Sequence, residues 1–303
     1  MTDAAPKPIA LMEKSTRDAT PAADGVSFRP MTEGDLKTAY AFSTELHWPH
    51  RLEDWQQVFE LGRGLVAERD GEIVGTGFAL PWGEHYATVG LVIVAPHCRG
   101  RRIGQRIMAE LIEGAGRRNL LLHATAQGRG LYERLGFKRL GEIRQHQGIA
   151  QPAPLIALKP GWRLRPAGRN DIDTLAALDA RARGMPRGPL IERMLGGLTT
   201  AVMLDFEDQP RGYALMHRFG RGWVVGPVAA PDADGAKALI AHLVGHNAGK
   251  FTRIDVDFDS GLTQWIENLG LARVDAVTTM VRGTPPTADP KLRLYSLATQ
   301  AFA

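Results

Sequence analysis

The feature that most constrains this 303-residue chain is that it repeats itself. FRPMTEGDL (28–36) is matched by LRPAGRNDI (164–172): an Arg-Pro pair, four residues, then Asp and an aliphatic side chain. VGTGFAL (74–80) is matched by RGYALM (211–216), VGLVIVAP (89–96) by VGPVAAP (225–231), and YERLGF (132–137) by IENLGL (266–271). Phe28 and Leu164 stand 136 residues apart, as do Gly90 and Gly226; Tyr132 and Ile266 stand 134 apart. Four segments kept in one order at a near-constant offset imply two copies of one fold. The expected division is a disordered leader (1–26), a first domain (27–158), a second domain (159–283) and a tail (284–303).

Composition narrows the class. The chain is long enough for two domains with their own cores. Its 44% hydrophobic and 23% charged residues are ordinary for a soluble globular protein. No run of some twenty apolar residues is present, which excludes a transmembrane helix and gives no reason to expect a membrane partner. Residues 1–26 are polar and rich in Ala, Pro, Asp and Thr, without the apolar stretch of a signal peptide. A single cysteine forbids an internal disulfide, and with the missing signal it points to a cytoplasmic location. The net charge of +4 is weak, and no basic stripe interleaves with aromatics, so no nucleic-acid partner is expected. The nine histidines and one cysteine show no ligand spacing, so no metal is expected either.

Within the first copy the pattern alternates between the two elementary periods. SFRPM is a short strand. TEGDLKTAYAFSTEL opens on Thr32 as a helix N-cap, and LEDWQQVFELG is a second helix. GLVAERDGEIVGTGFALPW is a hairpin turning at Asp70-Gly71. HYATVGLVIVAP is a strand apolar enough to be buried on both faces. A helix from RRIGQRIMAELIEGAG, a strand LLLHAT, a short helix GRGLYERLG and a strand FKRLGEIRQH complete the copy. The expected fold is α/β: a mixed, mostly antiparallel sheet flanked by helices, present twice in tandem.

Between the buried strand and its helix lies CRGRRIG (98–104). A helix start offers unpaired backbone N–H groups and the positive end of the helix dipole. Gly100 and Gly104 let a ligand approach the backbone. Arg99, Arg101 and Arg102 add charge-assisted donors. Together these suit a phosphate, although a solvated basic helix start would read the same way.

The run Pro96-His97-Cys98-Arg99-Gly100-Arg101-Arg102-Ile103-Gly104, followed by a helix, resembles the pyrophosphate loop of the GCN5-related N-acetyltransferase (GNAT) superfamily. LYERLGF (131–137) resembles that superfamily's last conserved segment. The series HWPH, EDW, GLVAERDGEIVGT and ATAQGRGLYERLGF resembles a bacterial tandem-GNAT group with a degenerate C-terminal copy. One departure is that Arg102 occupies the loop's first Gly position, where a non-glycine residue can still offer its N–H if the loop stays helical.

The resemblance implies an N-acetyltransferase that binds acetyl-CoA, releases CoA, and acts on a small-molecule amine by direct attack in a ternary complex. Acetyl-CoA is expected where LVIVAP splays from LLLHAT. Backbone groups of Val92, Ile93 and Val94 would hold the pantetheine, the loop from Arg99 to Gly104 the pyrophosphate, and Thr125 would lie alongside. Tyr132 is the candidate general acid for the departing thiolate. Glu84, His85 and His123 are the candidate bases, and His47, Trp48 and His85 the candidate acceptor pocket. Cys98 is discounted as a nucleophile, because no base pairs with it in the pattern. A non-catalytic acyl-CoA-binding sensor or scaffold is the alternative.

The second copy carries PDADGAKAL (231–239) where the first has PHCRGRRIG, so Asp232 and Asp234 would repel a phosphate. Ile266 replaces Tyr132 and donates no proton. This copy is expected to be structural, walling one side of the acceptor pocket in a monomeric internal pseudo-dimer or a homodimer. Asp255, Asp257 and Asp259 alternate as if on one strand face, which reads as a solvated face or a turn, with attraction of a cationic amine as the alternative.

Overall fold

A computed structural model describes residues 24–302. The first copy runs β1 (Val26–Pro30), α1 (Leu36–Glu45), α2 (Leu52–Leu61), β2 (Arg63–Arg69), β3 (Glu72–Trp82), β4 (Tyr86–Val94), α3 (Ile103–Ala115), β5 (Asn119–Ala124), α4 (Arg129–Arg134) and β6 (Lys138–Ile149). The second copy keeps that order: β7 (Trp162–Ala167), α5 (Ile172–Arg183), α6 (Gly188–Leu195), β8 (Thr199–Phe206), β9 (Gln209–Phe219), β10 (Gly222–Ala230), α7 (Ala233–His246), β11 (Phe251–Asp257), α8 (Thr263–Glu267) and β12 (Ala272–Arg282). A further short strand, β13 (Arg293–Ser296), follows. The leader expectation falls on residues 1–23, which lie outside the described residues, except at its end. There Asp24 pairs with Arg106 at 2.9 Å and Val26 opens β1.

The strands form one continuous sheet in the order β1-β2-β3-β4-β5-β12-β6-β11-β13-β10-β9-β8-β7. Its centre departs from two side-by-side domains, because the closing strands are exchanged. β12, from the second copy, pairs with β5 of the first, setting Thr279 opposite His123 and Met280 opposite Leu122. β6, from the first copy, pairs with β11 of the second, setting Ile254 opposite His146. β6 and β12 then pair antiparallel with each other, Val277 opposite Ile143. An approximate two-fold axis therefore passes between them. The exchange leaves neither half with an unpaired inner edge.

Local sequence explains the elements that shape the first half. Asp70 (φ 53°) and Gly71 (φ 81°) make the tight turn between β2 and β3. Gly75 and Gly77 let α3 lie close on β3, since a Cβ at either would come within 2.8 and 2.7 Å of Ile107. α1, α2, α5 and α6 share one apolar core on one face of the sheet. In it Trp55, Phe78 and Trp82 of the first copy pack with Leu190, Ile191 and Tyr213 of the second. α3 and α4 cover the other face of the first half, and α7 and α8 that of the second. The shared core is why the two copies are described as one body.

Candidate active site

β4 and β5 run parallel for three residue pairs, Tyr86–Asn119, Ala87–Leu120 and Thr88–Leu121, and then part. The parting follows a bulge in β4, where Phe78 opposes Gly90 but Thr76 opposes Ile93. Leu91 sits at the bulge with φ 50°, a left-handed conformation that costs a non-glycine residue about 1 kcal/mol. The buried Thr76 hydroxyl donates to the Leu91 carbonyl at 3.0 Å and fixes the distortion. The result is a V-shaped opening through the sheet with different chemistry on its two sides.

On the side of α3 the opening faces the arginine loop. No side chain caps α3, so the N–H groups of its first turn stay open to a ligand. Gly100 has φ 78° and a Cβ there would meet nothing within 4 Å, while a Cβ at Gly104 would make only ordinary contacts with Val94 and Leu131. Both glycines therefore leave room for something other than internal packing. Arg102 is not right-handed helical but left-handed, with φ 60° and ψ 14°. It adopts the backbone that a glycine would take. Arg101 and Arg102 are exposed, whereas Arg99 donates from Nε to the Val94 carbonyl at 3.3 Å and ties the loop to β4. Ile103 is core, 1% exposed, and so is Cys98, which is sealed among apolar side chains. Val92 and Val94 are half-buried and pack against the α3–α4 core, while Ile93 points to the other face.

Tyr132 lies on α4 beside the same side of the opening, its ring edge-on to Phe137 at 6.0 Å. Gly128 makes room for it, since a Cβ there would approach the ring to 3.1 Å. Burial pushes the phenol up to about 12, so it remains protonated through neutral pH. Thr125 accepts from the Gly128 N–H at 3.2 Å and sets the start of α4.

On the opposite side is a cavity of about 210 Å³. His47, Trp48 and His50 enter from the α1–α2 loop, Gly90 and Leu91 from the bulge, His123 and Thr125 from the end of β5, and Gln145 from β6. Phe219, Arg253 and Asp275 enter from the second copy, and Gln300 and Ala301 from the tail. Residues of the second copy thus form part of the cavity wall. Thr125, expected with the cofactor, also lines this side.

Two imidazoles dominate the cavity chemistry. His50 packs edge-on to Phe219 at 5.1 Å and lies 5.8 Å from Trp48. Its buried Nδ1 has no hydrogen-bond partner. Burial pushes its pKa down to about 4, with Asp54 pulling up and Arg253 down. His123 Nδ1 lies 3.1 Å from the Thr279 hydroxyl on the exchanged strand, and its buried Nε2 has no partner. Burial pushes it down to about 3, helped by Arg183 and Arg187. Both rings are neutral at physiological pH and have little affinity for a proton.

Other expected residues are placed elsewhere. Glu84 and His85 are exposed on the turn between β3 and β4, roughly 15 Å of strand before the bulge, and do not line the cavity. The turn projects them from the hairpin end, whereas the parting begins only after Thr88. The Asp255, Asp257, Asp259 series is not a solvated face. Asp255 is fully buried against Arg253, with contacts of 2.9 and 2.7 Å, Asp257 ends β11, and Asp259 lies in the following turn. Phe219, Arg253 and Gln300 carried no motif. Their part depends on strand exchange and on the path of the tail, neither of which a local pattern encodes.

In the second copy α7 is capped by its own Asp232, which accepts from the Gly235 N–H at 2.8 Å. Ile266, at the position of Tyr132, is fully buried. Among the described residues there is no group of His, Cys, Asp and Glu suited to a metal, and no helix is long and apolar enough to cross a membrane.

Two family models described as acetyltransferase (GNAT) domain match the chain, one over residues 60–139 and one over 175–296. The chain is 28% identical over 172 residues to the uncharacterised N-acetyltransferase YitH of Bacillus subtilis, a match spanning 56% of this chain and 60% of that protein. It is 22% identical over 277 residues to holothin acyltransferase of a Pseudoalteromonas species, spanning 83% of this chain and 92% of that protein. Among solved structures, a putative acetyltransferase from Pyrococcus horikoshii has the same fold, with a TM-score of 0.74 at 20% identity, covering 93% of this chain and 97% of that one.

Proposed function

We propose that this chain, which belongs to the GNAT superfamily, acts as an N-acetyltransferase whose first copy moves an acetyl group from acetyl-CoA to the neutral amine of a small molecule. The observation that carries this reading is the parting of β4 from β5 directly beside an uncapped, glycine-flanked helix start. An extended amide-bearing chain fits the parting as an added strand, and a pyrophosphate fits the helix start. Acetyl-CoA supplies an activated thioester carbonyl at this point. Backbone groups of Val92, Ile93 and Val94 bind and orient it, and N–H groups here stabilise negative charge that develops on the carbonyl oxygen. The open N–H groups of α3, with Arg101 and Arg102, hold the phosphates, while Arg99 keeps the loop against β4. The protonated Tyr132 delivers a proton to the departing sulfur, and the proton shed by the acylated nitrogen passes through water to restore the phenol, leaving CoA and a neutral amide as products.

The cavity supports a particular kind of acceptor. Burial lowers the proton affinity of both His50 and His123, which favours an acceptor whose amine is already neutral. The unpartnered nitrogens of both rings instead position polar groups of the acceptor, and Trp48 and Phe219 give it apolar walls. A small acceptor fits the enclosed volume, and the likeness to a protein named for acylating holothin supports a small molecule over a protein.

Calorimetric titration with acetyl-CoA tests the reading. The expected result is one equivalent bound per chain, weakened at least tenfold in the Arg101→Ala/Arg102→Ala variant. Thiol release with a panel of weakly basic amines is then expected to fall about 100-fold in Tyr132→Phe, with acetyl-CoA affinity retained. No binding would overturn the proposal. Binding without turnover of any amine would return the chain to an acyl-CoA sensor or scaffold.

A further inference from the structure

The second copy has the same parting of strands as the first. β10 and β11 run parallel only at Trp223–Thr252 and Val224–Arg253, and separate where β10 enters a bulge between Val225 and Val228. Here the opening is filled by β13. Its residues Arg293, Leu294 and Ser296 pair with Ala230, Ala229 and Val228 of β10, and Ser296 also faces Val256 of β11. The Leu297 N–H donates to the Asp255 carbonyl at 2.9 Å, and the Ser296 hydroxyl donates to the Val225 carbonyl at 3.0 Å. The fit depends on Gly226, where any Cβ would collide with the Leu297 carbonyl.

From there the chain crosses directly to the first copy. Ala298 accepts at its carbonyl from His217 Nε2 at 3.1 Å, in the tautomer that carries the proton there. Ala298 and Phe302 are buried in the core shared by both copies. Between them, Gln300 donates to Gln145 at 3.3 Å, and the Ala301 carbonyl lies over Gly90, the first copy's counterpart of Gly226. Gln300 and Ala301 are the two tail residues that line the acceptor cavity.

We infer that the second copy's cleft has become the anchor of a specificity element: β13 stands there in place of an acyl-CoA arm and so holds Gln300 and Ala301 as a wall of the first copy's acceptor pocket. This rests on the reading that the first copy is the acetyl-CoA site. It gives a function to a cleft whose helix start is already capped by Asp232. It also makes the chain a one-site enzyme by occupancy as well as by loss of residues.

Hydrogen exchange on the full chain, with and without saturating acetyl-CoA, separates the two ideas. Residues 294–297 are expected to exchange slowly in the free protein and to be unchanged by acetyl-CoA, while residues 91–104 become slower. Fast exchange at 294–297 in the free protein would overturn the anchor. So would acceleration there on adding acetyl-CoA together with new protection at 226–230, because the cofactor would then be displacing the strand. No response at 91–104 would overturn the first-copy reading, while the seating of β13 is still read from the free protein. The Ser296→Ala variant tests the coupling. Exchange is expected to rise about tenfold across 294–302 as the buried hydroxyl bond is lost, with acetyl-CoA protection at 91–104 retained. Faster exchange confined to 294–297, with 299–302 unmoved, would show that the cleft does not hold the wall.

Discussion

At the scale of single residues, three residues hold conformations or charge states set by their surroundings. Arg102 takes a left-handed backbone at the head of α3, which disfavours arginine and alanine alike and glycine least. Arg102→Gly is therefore expected to be about 1 kcal/mol more stable to denaturant than Arg102→Ala, the two having lost the same charge. The buried imidazoles make a different prediction. His50 and His123 have pKa values lowered to about 4 and about 3, against 6.5 when unfolded. Above pH 6.5 neither state binds these protons and the stability is fully present. As pH falls below 6.5 the unfolded chain gains protons that the folded chain refuses. Each histidine then costs up to about 1.4 kcal/mol per pH unit. Denaturation at pH 7 and pH 5 is expected to show this loss, reduced in His123→Gln. An undiminished loss in that variant would mean that His123 is not the buried neutral group described.

At the scale of elements, the parting of β4 from β5 depends on a bulge held by one hydroxyl. Thr76→Val keeps the shape of the side chain but leaves the buried Leu91 carbonyl without its donor. The expected cost is about 1–3 kcal/mol in stability, together with weaker acetyl-CoA binding, as the bulge relaxes toward a regular ladder. Most elements could be read from the sequence because local signals marked them: Asp70-Gly71 turned the hairpin, and the arginine loop preceded a helix. The arginine loop with its neighbouring strand and helix could be read for the same reason, since the three are consecutive. The lining of the cavity could not, because its residues meet only through pairings between distant segments. His50 faces Phe219 across 169 positions, and His123 meets Thr279 across 156. Glu84 and His85 were misplaced because nearness in sequence to the splayed strand is not nearness to the point where it splays.

At the scale of the molecule, the exchanged strands and the common core join the copies into one cooperative unit. Residues 24–158 and 159–302 expressed separately are each expected to lack the strand that completes their half of the sheet, and to be insoluble or unfolded. The intact chain is expected to unfold in one transition. Two resolved transitions in a calorimetric scan would show that the copies are energetically separate despite the shared sheet.

The exchange also sets a timetable for synthesis. β5 ends at Ala124, but its neighbour β12 begins only at Ala272, so the inner edge of the nascent first copy must wait for nearly half the chain to be made. At ordinary elongation rates that wait is on the order of 10 to 30 seconds. Throughout it the apolar strand LLLHA presents unpaired backbone to the cell. A ribosome-bound chaperone is therefore expected to find its main client surface there, and slowing translation between residues 125 and 272 should lower the soluble yield more than slowing it anywhere earlier.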